Sequence, residues 1–119
     1  MKNLILSFVA IFSFVLSTQA QEVKNKNAKV DIEVKGNCDM CKKRIEKAAF
    51  KVKGVKTATW HADDQTLHLI IDENKTSTKQ VQEAVAKTGH DTKYKKDVVN
   101  ATNEAYESLH GCCIYERES

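Results

Sequence analysis

Val30, Ile32 and Val34 alternate with Asp31, Glu33 and Lys35, the period of two that marks a strand with one buried face. Gly36-Asn37 breaks this run. From Cys41 the spacing changes: Cys41, Ile45, Ala48 and Val52 share one helical face, with Lys42, Lys43, Arg44, Glu46 and Lys47 mostly elsewhere, and Gly54 is the stop signal. Val55 to Ala62 reads as a strand with Ala58, Trp60 and Ala62 on one face. Asp63-Asp64-Gln65 turns the chain, and Leu67, Leu69 and Ile71 alternate in a second strand, which predicts a hairpin. After the polar stretch from Asp72 to Ser77, helical spacing returns from Thr78 to Thr88, with Val81, Ala84, Val85 and Thr88 on one face. Ser77 or Thr78 is placed to cap this helix and Gly89 to end it. Thr92 to Lys95 predicts a short last strand.

The resulting order of strand, helix, strand, strand, helix, strand predicts an α+β fold of the ferredoxin-like βαββαβ kind. Both helices would cover one sheet face and leave the other to water. Ala48, Ala49, Ala84 and Ala86 are small enough to let the helices lie close to the sheet. Beyond this unit, Val98, Ala101, Ala105 and Leu109 recur at helical spacing, which predicts a C-terminal helical tail over Asp97 to Leu109. Gly111 would end it and deliver Cys112 and Cys113 just past its end.

The N-terminus belongs to a different class of segment. Lys2 is followed by a nearly unbroken apolar run from Leu4 to Leu16, and then by Ser17-Thr18-Gln19-Ala20. This is the layout of a secretory signal peptide, and the run is short against the ~20 apolar residues of a membrane span. Residues 1–20 are read as the signal peptide, 21–28 as a flexible leader, 29–96 as the domain, and 97–119 as the helix and Cys-Cys tail. A periplasmic or secreted protein without a membrane anchor after cleavage is expected, with a retained N-terminal anchor as the rival reading. The formal charge of +3 on 119 residues carries no concentrated basic face of the kind that nucleic acid requires.

The candidate chemistry is sulfur. The four cysteines form two close pairs, Cys38/Cys41 and Cys112/Cys113. An even count outside the cell invites a disulfide reading, but two pairs far apart suit a metal or redox site equally. Cys38-Asp39-Met40-Cys41 stands between a strand and a helix, which brings both sulfurs to one side of a loop near unpaired N–H groups and the positive end of the helix dipole. Lys42, Lys43 and Arg44 add positive charge, and each effect favours thiolate. Thiolates select soft ions such as Cu(I) and Zn(II) over Mg or Ca. Two ligands fall short of the four of a closed structural zinc site.

The run from Val34 to Cys41, the helix after it, Lys53-Gly54-Val55 and Lys87-Thr88-Gly89-His90 together resemble the heavy-metal-associated domain family over residues 29 to 95. That family includes copper chaperones, N-terminal modules of metal-pumping P-type ATPases and the periplasmic mercury-binding protein. It commonly reads Gly-Met-Thr-Cys-x-x-Cys; here the Met is absent and Gly36 stands one place closer to Cys38. The resemblance implies that Cys38 and Cys41 are metal ligands. It also places the His90 loop beside the metal loop, so His90 is a candidate third ligand or a neighbour of the ligands, against a plain loop histidine. His61 and His68 fall on the hairpin as ordinary residues, and Met40 is read as packed or exposed rather than ligating.

His110-Gly111-Cys112-Cys113 has no counterpart in that family pattern. Three readings stand open: the tail folds back to complete a three- or four-sulfur site, it binds a second ion with His110, or it forms a disulfide. For the whole protein the leading expectation is a non-enzymatic carrier. It would take a soft ion, Cu(I) before Zn(II), Cd(II) or Hg(II), and pass it to a metal transporter or another metal-binding domain, as a monomer or metal-bridged dimer. A thiol–disulfide protein is the alternative, weakened because the chain contains no proline and so lacks the cis-proline that faces the motif in thioredoxin-like folds. A structural module with crosslinked cysteines is the third reading.

Overall fold

The computed structural model describes residues 24–117; the expected signal peptide lies outside them. The elements are β1 (Ala28–Val34), α1 (Asp39–Phe50), β2 (Val55–His61), β3 (Thr66–Ile71), α2 (Thr78–Ala86), β4 (Thr92–Tyr94), β5 (Asp97–Val99) and α3 (Asn103–Glu107), followed by a 3-10 turn at Gly111–Cys113. Among the described residues no helix is long and apolar enough to cross a membrane.

The five-stranded sheet has the order β2-β3-β1-β4-β5, and every neighbouring pair is antiparallel. The first four strands and two helices make the expected ferredoxin-like sandwich. Alternation sets the buried face: Val30, Ile32 and Val34 of β1 point inward beside Leu67, Leu69 and Ile71 of β3. The helices cover this face with Cys41, Ile45 and Ala49 from α1, and Val81, Val85 and Ala86 from α2. Ala49 rather than Ala48 is the deeper residue of α1, because positions four apart from Cys41 keep facing the sheet. In β2 both Val55 and Trp60 are buried although strict alternation would put them on opposite faces. A register shift between Val55 and Thr57 reverses the parity between them. Ser77 caps α2 as expected, accepting from the Gln80 N–H.

The tail departs from the long helix expected over Asp97 to Leu109. After a tight turn at Lys95-Lys96, in which Lys95 takes φ of 54°, residues Asp97–Val99 pair with β4 and extend the sheet. Only Asn103–Glu107 is α-helical there, capped by Thr102, whose hydroxyl accepts from Ala105 N. The physical reason lies in the edge of β4. Its outward N–H and C=O groups need partners, and β5 supplies them. Gly111 accordingly opens a 3-10 turn instead of closing a helix.

Candidate metal centre

Cys38 is the N-cap residue of α1, in an extended conformation, and Cys41 lies within the first turn. The Cys38 side chain makes no capping hydrogen bond to the helix, so its sulfur is left for other partners. Asn37 N–H donates to Cys41 Sγ at 3.5 Å. Behind the loop, Trp60 is buried and its indole N–H donates to the Val34 carbonyl at 3.0 Å. A Cβ on residue 36 would meet the Trp60 ring at 3.1 Å and Cys41 Cβ at 3.2 Å. Glycine two places before Cys38 is therefore a packing requirement of this loop. The helix is tied to β2 by Glu46, which accepts from Trp60 N–H and from Lys42, while Lys42 also donates to the Trp60 carbonyl.

The tail reaches this loop along a defined path. Gly89 has φ of +109°, and any Cβ there would lie 2.7 Å from the Ala105 carbonyl, so glycine lets α3 rest directly on the turn after α2. Tyr115 is buried; its hydroxyl accepts from Asp91 N–H and donates to the Gly89 carbonyl, both at 2.8 Å. Arg117 grips the Asp91 carboxylate through Nε and one terminal nitrogen, at 2.9 Å each. The Tyr106 hydroxyl donates to the Tyr115 carbonyl, and the Asn37 amide donates to the Ile114 carbonyl. No local pattern announced these latch residues: Tyr106, Tyr115 and Arg117 carry no periodicity that pairs them with Asp91.

Between the anchors, the 3-10 turn sets Cys112 and Cys113 against the loop. Cys38 Sγ lies 3.6 Å from Cys41 Sγ, 2.7 Å from Cys112 Sγ and 3.6 Å from Cys113 Sγ. The sulfurs of Cys38, Cys41 and Cys113 all fall within 4.8 Å of one another. Cys41 and Cys113 are fully buried, Cys38 is half-buried and Cys112 is exposed. Hydrogen bonding from Cys112, helped by contacts from Cys41 and Cys113 and opposed by partial burial, lowers the Cys38 pKa to about 6. The same Cys38–Cys112 contact raises Cys112, and burial pushes the Cys113 thiol up. The sulfurs gathered here form a donor set that suits soft ions.

The other sulfur and nitrogen candidates fall outside this group of three. His90 is buried beside Tyr115, with its Nδ1 donating to the Lys35 carbonyl at 2.7 Å; burial is the main cause of its lowered pKa. Its Nε2 has no partner among the described residues. His110 is exposed, and its carbonyl accepts from Cys113 N–H as part of the turn. Met40 is exposed, with its sulfur 3.6 Å from Cys112 Sγ. His61 and His68 pack edge to face on the hairpin, where His68 pairs with Asp31.

Fold and site together define a small α+β module that gathers sulfur donors at the N-terminus of its first helix. The chain belongs to the heavy-metal-associated domain family, which it matches over residues 32–91. It is 36% identical over 63 residues to the copper chaperone CopZ of Staphylococcus haemolyticus, a match spanning 52% of this chain and 93% of that protein. Among solved structures it is similar to oxidized MerP from Ralstonia metallidurans CH34. The TM-score is 0.55 and the identity 27%, over 59% of this chain and 99% of that one. It is also similar to the N-terminal domain of a potential copper-translocating P-type ATPase from Bacillus subtilis in the Cu(I)-loaded state. Here the TM-score is 0.55 and the identity 30%, over 58% and 88% of the two chains.

Proposed function

We propose that this protein is a carrier of a soft metal ion, Cu(I) before Zn(II) or Hg(II), taken up by Cys38 and Cys41 and passed on by exchange of thiolate ligands. The observation that carries this reading is the pair of sulfurs, 3.6 Å apart, held by the N-terminus of α1 on a loop shaped by Gly36 and Trp60. The copper chaperone and the Cu(I)-loaded ATPase domain among its relatives support Cu(I) as the cargo. Each transfer step replaces one metal–sulfur bond by another, and needs neither a general base nor a substrate cavity. The natural recipients are a metal transporter or another metal-binding domain. Action in the periplasm or outside the cell fits the apolar N-terminal run and its small-residue end.

The test is an anaerobic titration of the reduced protein with Cu(I) and Zn(II) against competing chelators, beside Cys38→Ser with Cys41→Ser. Tight Cu(I) binding that disappears in the double variant is the expected result. If the native reduced protein holds no soft ion against the chelator, the carrier reading fails, and a thiol–disulfide or crosslinking role takes its place.

A further inference from the structure

We propose that Cys113 is a third thiolate ligand, so that the tail closes a three-sulfur site over the Cys38–Cys41 loop. This deepens the carrier reading and rests on it. Three observations carry it.

The first is spacing. With a metal–sulfur bond of about 2.3 Å as the yardstick, an ion bound linearly by two sulfurs holds them about 4.6 Å apart, whereas an ion in the plane of three holds each pair about 4.0 Å apart. Cys38 Sγ lies 3.6 Å from both Cys41 Sγ and Cys113 Sγ, and all three sulfurs are within 4.8 Å of one another. The two sides of the triangle that meet at Cys38 need to open by only about 0.4 Å, while a linear pair demands an opening of about 1 Å.

The second is burial. Cys113 is withdrawn fully from solvent even though it sits in a tail whose neighbours Gly111, Cys112 and Ile114 are exposed. Its sulfur belongs to the group of three that lie within 4.8 Å of one another, whereas Cys112, whose Sγ lies 2.7 Å from Cys38 Sγ, is exposed and falls outside that group.

The third is construction. The turn is anchored on its N-terminal side by Leu109 against Gly89, and on its C-terminal side by Tyr115 and Arg117 on Asp91. Asn37, next to Cys38, itself holds the Ile114 carbonyl. These anchors fix the position of Cys113 relative to the loop.

Loading replaces the S–H proton of each ligand thiol by a metal–sulfur bond and releases those protons to solvent; no electron moves. A third thiolate slows escape of the ion. It also makes hand-over depend on the tail surrendering Cys113 to the recipient's thiolate.

The experiment is sulfur counting by X-ray absorption at the copper edge on the reduced, Cu(I)-loaded protein, together with chelator competition. The forms compared are the native protein, Cys112→Ser, Cys113→Ser and Cys38→Ser with Cys41→Ser. Three sulfurs in the native protein and in Cys112→Ser, two in Cys113→Ser, and at least about tenfold weaker Cu(I) retention by Cys113→Ser are expected. Two sulfurs in the native protein overturn the proposal while leaving the two-cysteine carrier intact. A drop to two in Cys112→Ser also overturns it, by assigning the third place to the wrong neighbour. These two forms decide the matter even where Cys113→Ser folds poorly, because the native protein is unaltered and position 112 is exposed. Absence of tight Cu(I) binding by the native protein sinks the carrier reading itself, and this proposal with it.

Discussion

Gly36 shows how one residue shapes the site. Its φ lies outside the left-handed range, so the requirement is for space alone. A methyl group there presses on the Trp60 ring at 3.1 Å and on Cys41 Cβ at 3.2 Å. Neither neighbour yields easily: Trp60 is buried and hydrogen-bonded to Val34, and Cys41 is fixed in α1. Two effects oppose each other in Gly36→Ala. Restricting the unfolded chain stabilises by about 0.4–1 kcal/mol, whereas overpacking costs about 1–3 kcal/mol. Overpacking wins, and a net loss of about 1–2 kcal/mol is expected in urea unfolding of the reduced protein. Gly111→Ala is the matched control, since nothing lies within 4 Å of a Cβ at that position and its φ is not left-handed. It should be neutral or slightly stabilising. A Gly36→Ala midpoint equal to the native one would refute this account of the loop.

At the scale of elements, the tail and its latch are the feature that distinguishes this chain from a bare βαββαβ unit. Tyr115 bridges the Asp91 N–H and the Gly89 carbonyl with one hydroxyl. Tyr115→Phe keeps the ring and strands both backbone groups, at a cost of about 1–3 kcal/mol. Amide exchange at Asp91 and along residues 113–117 should accelerate, while β1 and β3 keep their protection; unchanged exchange in the tail would mean that the latch does not hold it. Little of this was readable in the sequence. The central strands and both long helices were, because Val30 to Val34 and Leu67 to Ile71 keep a period of two, and the apolar positions after Cys41 and Thr78 a helical one. Val98, Ala101, Ala105 and Leu109 also keep helical spacing, yet they fall in a strand, a connection, a helix and the turn after it. The Lys95-Lys96 turn lacks the glycine or asparagine that announces a hairpin. Cys38 and Cys41 were legible as a local motif. The convergence of Cys113 upon them was one of three open readings, because 75 positions separate it from Cys38 and only the tail's path brings them together. His90 and His110 differ in burial, which their sequence neighbours do not encode.

Across the whole molecule, that separation gives metal binding a consequence beyond the site. The core is a single layer of side chains between one sheet and two helices, so the margin of stability is modest. An ion held by Cys38, Cys41 and Cys113 joins the beginning of α1 to the end of the tail, two segments that drift apart when the chain unfolds. Binding to the folded form alone adds about 2.7 kcal/mol when free ion stands at 100 times its dissociation constant. For a domain near 100 residues each kcal/mol moves the midpoint by roughly 4–8 °C, so a rise on the order of 10–20 °C is expected in calorimetry of the reduced protein with chelator-buffered Cu(I). Mg(II) at the same free concentration should leave the midpoint unmoved, since it prefers oxygen ligands and keeps its water. In the Cys38→Ser, Cys41→Ser variant the Cu(I) shift should vanish. A shift that persisted there would place the stabilising ion elsewhere, whereas native protein indifferent to Cu(I) would show that the gathered sulfurs contribute packing and no binding energy.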